Sequence, residues 1–94
     1  MFVIVRKDLS TSQQAVQAGH ALASYLLHGP FSRWQNGTLI YLGVKGLVQL
    51  ENIKHKFEKE GIRYKEFKEP DIGNEITAIA TDEANKHIER LNLL

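Results

Sequence analysis

The chain has 94 residues, of which 43% are hydrophobic and 24% charged, and it carries a formal net charge of +1 and no cysteine. These values are ordinary for one globular domain, and they exclude disulfides, thiolate metal sites and thiol catalysis. No apolar run approaches the roughly 20 residues that span a bilayer, and Met1–Val5 is too short for a signal-peptide core. We therefore expect a cytoplasmic protein with no membrane partner.

Positive charge is concentrated in the middle of the chain. Between Lys45 and Lys68 there are seven Lys or Arg residues and four Glu, a local balance of +3. Such a stretch is compatible with a phosphate-bearing partner, and equally with the solvated outer face of a helix.

The first half of the chain predicts a strand, a helix and a second strand. Met1–Val5 is continuously apolar, as in a central strand that is covered on both faces. Ser10 is a candidate N-cap for a helix from about Ser12 to His28, which Gly29-Pro30 ends. Residues 38–44 then predict the second strand. The helix has an apolar stripe and, beside it, a polar row where a helix would edge a cleft. The stripe is Ala15, Ala18, Gly19, Leu22, Ala23 and Leu26, and the row is Gln13, Gln17, His20 and Ser24.

The second half predicts a helix over 47–60, a strand over 62–67, a loop over 69–75 and a strand over 76–80. A last helix follows, capped by Thr81 or Asp82 and ending at about Leu91. The order β-α-β-α-β-β-α predicts a single α/β domain over residues 1–94, with a mixed four-stranded sheet and helices packed on it.

Most common catalytic motifs are missing from the chain. It has no glycine-rich dinucleotide or phosphate loop, no G-x-S-x-G and no H-E-x-x-H, and its four histidines are scattered singly. We expect neither a metal site nor a cofactor.

Asp71, His20 and Thr77 are the candidate catalytic residues. Asp71 lies between Pro70 and Gly73, where an aspartate commonly serves turn chemistry, but a carboxylate in such a loop can also orient a water or accept a proton. His20 is open to two interpretations, a satisfied histidine on a helix flank or a functional group. Thr77 becomes informative if its hydroxyl faces Asp71.

Several short motifs, taken in order, resemble the archaeal/eukaryotic-type peptidyl-tRNA hydrolase family. The resemblance covers about residues 3–80, and the same β-α-β-α-β-β order is what that fold requires. The matching segments are Val5-Arg6-Lys7-Asp8-Leu9, Gln17-Ala-Gly-His20-Ala21, Trp34 with Gly37, Leu50-x-x-Ile53, Glu60-Gly-Ile62-x-Tyr64, and Asp71-Ile-Gly73 followed by Thr77-Ala-Ile79.

The chain also departs from the family pattern. The family's catalytic lysine, four residues before the glutamine of Q-x-x-H-A, is Gln13 here, and the first threonine of D-x-G-x-T is Glu75. The loop after Asp71 is shortened. Asp71 and Thr77 carry over as two of the family's functional residues, whereas the lysine and the first threonine do not.

The resemblance implies hydrolysis of the ester that joins a peptide or acyl group to tRNA, and it implies a homodimer. We assign Asp71, Thr77 and His20 to catalysis and four further residues to substrate binding: Lys7, Gln13, Gln17 and Gly73. Lys7 and His20 are the nearest candidates to replace the missing lysine. Two alternatives stay open: a non-catalytic tRNA- or nucleotide-binding module, and a protein-interaction domain with no nucleic-acid role.

Overall fold

The computed structural model describes residues 1–94 as three helices on a five-stranded sheet. The strands are β1 (Phe2–Arg6), β2 (Ile40–Val44), β3 (Lys65–Glu69), β4 (Glu75–Thr81) and β5 (Asn92–Leu93). The helices are α1 (Thr11–His28), α2 (Leu47–Glu60) and α3 (Lys86–Glu89), and a 3-10 turn covers Pro70–Ile72. No helix combines the length and the apolar character that crossing a bilayer would require.

The sheet is mixed, with the strand order β3-β4-β1-β2-β5. β1 and β2 are parallel, β4 is antiparallel to both β1 and β3, and β5 is antiparallel to β2. The strands β1, β2 and β3 therefore point the same way, and their last residues meet at one end of the sheet, which we call the carboxyl edge. The first residues of β4 and β5 lie at the same edge.

The two crossover connections place α1 and α2 on opposite faces of the sheet. The chain moves in one direction across the sheet from β1 to β2 and in the other direction from β2 to β3. Because such crossovers are right-handed, reversing the direction of travel moves the helix to the other face. β1 is consequently covered on both sides, which confirms the prediction made from its apolar run.

Each face of the sheet has its own hydrophobic core. The α1 side is built largely from small residues, so that α1 can pack close to the sheet, whereas the α2 side holds large aliphatic and aromatic side chains. The α1-side core is Met1, Val3, Val5, Ala18, Ala21, Tyr25, Ala78 and Ala80. The α2-side core is Ile4, Leu42, Val44, Leu50, Ile53, Phe57, Ile62, Ile76, Ile79 and Ile88.

The ends of α1 and α2 follow from local chemistry. The Ser10 side chain accepts a hydrogen bond from the Gln13 backbone N–H (3.2 Å), as the predicted N-cap requires. Gly61, at φ 68°, ends α2 in the left-handed conformation that glycine adopts without a Cβ penalty. Both helices match their predicted spans to within one residue.

The predicted four-stranded sheet and long last helix are wrong in detail. Thr81 remains in β4, where its hydroxyl donates to the Arg63 carbonyl (2.7 Å). The side chain of Asn85 instead caps α3 by accepting from the backbone N–H groups of His87 and Ile88. The chain then leaves the helix and pairs along β2 as the fifth strand.

The predicted inward stripe of α1 is also wrong, since the helix is rotated relative to it. Ala15, Gly19 and Ala23 are exposed, and Leu26 is 52% exposed. The side chains that face the sheet are Gln17, Ala18, Ala21 and Tyr25. The buried face thus takes in one member of the predicted polar row, Gln17.

Candidate functional site

A β-bulge in β4 turns Thr77 towards α1. Phe67 of β3 pairs with Ala78 and Lys68 pairs with Ile76, so Thr77 is an extra residue that has no partner in β3. Ile76 belongs to the α2-side core and Ala78 to the α1-side core. Bulges re-aim side chains in this way, and here the Thr77 hydroxyl reaches the same side of the sheet as its neighbour Ala78.

Gln17 is the centre of a hydrogen-bond network beneath α1. The Thr77 hydroxyl donates to Gln17 Oε1 (2.9 Å), and Gln17 Nε2 donates to Gln13 Oε1 (3.1 Å) and to Glu69 Oε1 (3.2 Å). Gln17 and Thr77 are buried, at 1% and 0% exposure, whereas Gln13 is exposed and Glu69 half-buried. The network therefore runs from the interior to an amide and a carboxylate at the surface.

His20 lies one turn further along α1. Its ring stacks on Phe67 of β3, with ring centroids 4.3 Å apart and planes within 10° of parallel. The side chain is exposed and forms no hydrogen bond within the chain. Of the predicted polar row, His20 and Gln17 thus contact β3, through Phe67 and Glu69, while Gln13 contacts Gln17 at the surface.

Asp71 lies in the 3-10 turn after β3, at the carboxyl edge. Its side chain is exposed and forms no hydrogen bond or ion pair, and Thr77 bonds to Gln17 rather than to Asp71. Gly73 ends this turn at φ 71° and is followed by Asn74 at φ 59°. Gly73 therefore has a structural role, since glycine adopts this left-handed conformation without steric cost. Gly73 lines a separate cleft of about 330 Å³ between α2 and the β3–β4 hairpin.

Lys7 lies away from this network. Its side chain extends over Gly43 of β2, where an added Cβ would come within 2.6 Å of Lys7 Cδ. The structure therefore does not bring Lys7 to Gln13, the position at which the family has its lysine.

Arg6 occupies the space between β1 and the start of β4. The buried guanidinium pairs with Asp8 (2.7 Å) and Glu75 (2.8 Å) and donates to the Ile76 carbonyl (3.2 Å). Hydrogen bonding to Arg6 lowers the pKa of Asp8. Glu75, the residue at the family's first threonine position, is thus a partner of Arg6 in a charged network that joins β1 to β4.

Glu69 is the residue that the sequence analysis missed. It is the last residue of β3, and its carboxylate accepts a hydrogen bond from Gln17. The only signal for it was its position two residues before Asp71, at the start of the loop predicted over 69–75.

The arrangement offers hydrogen-bond donors and carboxylates, but these carboxylates are not clustered with other metal-binding side chains. No group of three or more His, Asp or Glu side chains lies close enough together to hold a metal ion.

No protein-family model matches the chain, and no curated protein sequence is significantly similar to it.

Proposed function

We propose that the chain is a divergent relative of the archaeal/eukaryotic-type peptidyl-tRNA hydrolases that hydrolyses the ester between a peptide or acyl group and tRNA. The observation that carries the proposal is the 2.9 Å bond between Thr77 and Gln17. It joins two of the motifs behind the resemblance, which are 60 residues apart in sequence. The Asp71 loop, which holds the third motif, begins directly after Glu69 of the same network.

The reaction needs a group that takes a proton from water, and two carboxylates are available. Glu69 is half-buried, and its position is fixed by Gln17. Asp71, two residues further, has an exposed side chain that no hydrogen bond or ion pair holds within the chain. A positioned general base contributes about 10²–10⁴ in rate. We assign that role to Glu69 first, because its side chain is already held by a neighbour.

Gln13 supplies the donor that the family obtains from lysine. Its Oε1 accepts from Gln17, and its amide N–H groups have no partner within the chain and belong to an exposed residue. They are suited to donate to the oxyanion that forms during ester hydrolysis. A neutral donor is roughly half as strong as a charged one, so the proposed enzyme is slow. Thr77 is too deeply buried to touch substrate and acts by positioning Gln17.

Release of a labelled acyl group from N-blocked aminoacyl-tRNA tests this proposal. We expect wild-type turnover above the uncatalysed rate and a fall of about 10²–10⁴ in Glu69→Gln. Asp71→Asn decides between the two carboxylates. If the rate falls further in Asp71→Asn than in Glu69→Gln, the general base is Asp71. Gln13→Lys restores the family's cation, and we expect it to raise the rate by at least about tenfold.

The matched control for Gln13→Lys is Gln35→Lys, which adds the same charge in the exposed loop before β2, at the opposite end of the sheet. A rate increase in both variants would point to charge attraction of tRNA rather than chemistry. Background release by wild type and by Gln13→Lys alike would end the hydrolase proposal.

One observation favours a non-catalytic alternative, in which the chain binds tRNA or a nucleotide without cleaving it. The Gln13–Gln17–Glu69 network bonds to no cation, and Lys7 lies over Gly43 instead. Under this alternative, tRNA binds equally well to wild type and Asp71→Asn, and neither releases the acyl group.

We also propose that the chain forms a homodimer through the outer face of α1. None of the 18 residues of α1 is Lys, Arg, Asp or Glu. Four apolar side chains on this face and the following loop are strongly exposed: Val16 (50%), Leu26 (52%), Leu27 (73%) and Phe31 (79%).

A further inference from the structure

A groove at the carboxyl edge, on the far side of the sheet from Glu69, collects positive charge. It has a volume of about 320 Å³ and lies between the end of β2, the α2 helix and the segment after α3. None of its ten lining residues is acidic. Its polar lining consists of three cations and three amides: Lys45, Lys56, Arg90, Gln49, Asn52 and Asn92.

The order of the elements explains why these side chains converge. Lys45 follows β2 directly, and Gln49, Asn52 and Lys56 come after it at spacings of four, seven and eleven residues, which place them on one side of α2. Arg90 and Asn92 reach the groove because β5 returns along β2, where Asn92 pairs with Gly43. The fifth strand thus completes the wall opposite α2.

The groove cations have no carboxylate partners within the chain. Two other cations are neutralised within the chain: the buried Arg6 by Asp8 and Glu75, and the half-buried Lys54 by Glu66. Lys45, Lys56 and Arg90 take part in no ion pair. Lys7, also unpaired, lines a second depression of about 430 Å³, which shares Gly43, Val44, Lys45 and Asn92 with the groove.

Like charges gathered in a concave surface create a positive potential that attracts anions. Three cations spread along a groove, with Lys7 in the adjoining depression, suit an extended polyanion better than one carboxylate, which a single arginine would bind through two hydrogen bonds. Amides without an aromatic side chain suit contact with a sugar-phosphate backbone rather than base stacking.

We propose that this groove binds the backbone phosphates of an RNA strand. The anion site rests on the groove alone, whereas the choice of RNA rests on the proposed function. β2 and β3 are three strand positions apart, a distance of about 14 Å. A strand whose phosphates lie in the groove therefore has its continuation within reach of Gln13 and Glu69 along the same edge.

Binding of a fluorescently labelled single-stranded RNA, followed by anisotropy at about 50 and 200 mM KCl, tests the proposal. The groove variant is Lys56→Gln/Arg90→Gln. The matched control is Arg33→Gln/Lys65→Gln, which removes the same charge from two unpaired cations at the opposite end of the sheet. Loss of two phosphate contacts should reduce the slope of log affinity against log salt by about 1.4, so that the affinity lost between the two salt concentrations is about sevenfold smaller.

A reduced slope and weaker binding at low salt in the groove variant alone would support the proposal. Equal weakening in both variants, or salt-independent binding by wild type, would overturn it. A titration with inorganic phosphate, followed by NMR at Asn52 and Asn92, separates the two sources of phosphate. If phosphate alone binds the groove as tightly as RNA does, the ligand is a small anion and the RNA proposal fails.

The outcome is separable from that of the proposed function. Groove-dependent RNA binding without ester hydrolysis by wild type or Gln13→Lys would end the hydrolase proposal and leave the groove assignment in place. If wild type hydrolyses acyl-tRNA and Lys56→Gln/Arg90→Gln hydrolyses it equally well, the hydrolase proposal stands and the groove assignment fails.

Discussion

The hydroxyl of Thr77 is a structural determinant of the candidate site. Thr77→Val keeps the shape of the side chain but leaves Gln17 Oε1, at a residue only 1% exposed, without its donor. An unsatisfied buried polar group costs about 1–3 kcal/mol. We therefore expect the free energy of unfolding in urea to fall by that amount in Thr77→Val, and by less in Thr77→Ser, which keeps the hydroxyl.

The double variant Thr77→Val/Gln17→Met gives a further check on this bond. Replacing both partners with apolar groups removes the unsatisfied atom, so the combined loss should be smaller than the sum of the single losses. Additive losses would mean that Thr77 and Gln17 are not energetically coupled.

Single residues also show where sequence reasoning about the site stopped. Gln17 and His20 could be selected from the spacing of the polar row and Thr77 from the resemblance, and the structure brings all three to the border between α1 and β3–β4. The partner of Thr77 could not be predicted, because one extra residue in a strand changes which side chains share a face. Without the bulge, Thr77 and Ala78 would lie on opposite faces of β4.

At the scale of elements, the end of α1 is fastened to the end of β4 through Asp82. The Tyr25 hydroxyl donates to one carboxylate oxygen of Asp82 (2.6 Å), and the Ser32 hydroxyl donates to the other. Burial acts to raise the pKa of Asp82, but the bonds from Ser32 and Tyr25 outweigh it and lower that pKa. Burial and the bond to Asp82 raise the pKa of Tyr25 to about 12.

These pKa shifts predict the pH range over which the hydrogen bonds to Asp82 stabilise the fold. Because the pKa of Asp82 is lowered on folding, its contribution is present above the unfolded value of about 3.9 and is lost as the pH falls below it. Because the pKa of Tyr25 is raised, its contribution is present below about pH 10 and is lost as the pH rises towards 12.

Tyr25→Phe tests this window by removing the hydroxyl alone. We expect the variant to be about 1–3 kcal/mol less stable than wild type near pH 7, and the difference to shrink below about pH 4 and above about pH 10. Chemical denaturation across this range measures it. A difference that stays constant with pH would show that the loss comes from packing and not from the bond to Asp82.

The spans of helices could be predicted where capping residues and apolar spacing agree. The face that a helix buries could not be predicted where tertiary contacts determine it. The spans of α1 and α2 follow from Ser10, Gly61 and the apolar spacing. The inward face of α1 does not, because the helix has no charged residue to mark the side that faces solvent, and its uncharged polar residues can be buried. Two polar groups, Gln17 and Tyr25, are buried there because Thr77 and Asp82 satisfy them.

The last two elements show the same limit. The apolar spacing of Ala84, Ile88 and Leu91 predicts a long helix, but α3 is only four residues long. β5 is two residues long and exists because β2 leaves an edge to pair with. No periodicity can be read from so short a strand, although it completes the cationic groove.

At the scale of the whole molecule, the candidate site and the cationic groove lie at the carboxyl edge, and the proposed dimer interface is the outer face of α1. Glu69, Gln13 and the Asp71 loop lie on one side of that edge, and the groove with Lys45 lies on the other. In open α/β sheets, ligands bind outside the carboxyl ends of the strands. The basic stretch between Lys45 and Lys68 therefore divides: Lys54 is neutralised by Glu66, and Lys45 and Lys56 remain free to meet a ligand.

The outer face of α1 is the surface best suited to a second copy of the chain. At the overall charged fraction of 24%, the 18 residues of α1 would include about four charged residues, yet they include no Lys, Arg, Asp or Glu. A two-fold interface sets the same patch against itself, so a patch without charge has no like charges to repel. Nothing lies within 4 Å of a Cβ placed on Gly19, which leaves room for a neighbouring helix to approach.

Leu27→Glu tests this interface, because a two-fold contact would bring the new charge of each copy close to that of its partner. We expect wild type to sediment as a dimer at concentrations at which Leu27→Glu is monomeric, since opposed like charges at an interface cost several kcal/mol. Val48→Glu is the matched control: Val48 is 64% exposed on α2, away from α1, and should leave the dimer intact. A wild type that stays monomeric at every concentration, or a Leu27→Glu that sediments like Val48→Glu, would contradict the dimer and leave the uncharged face of α1 for a different partner.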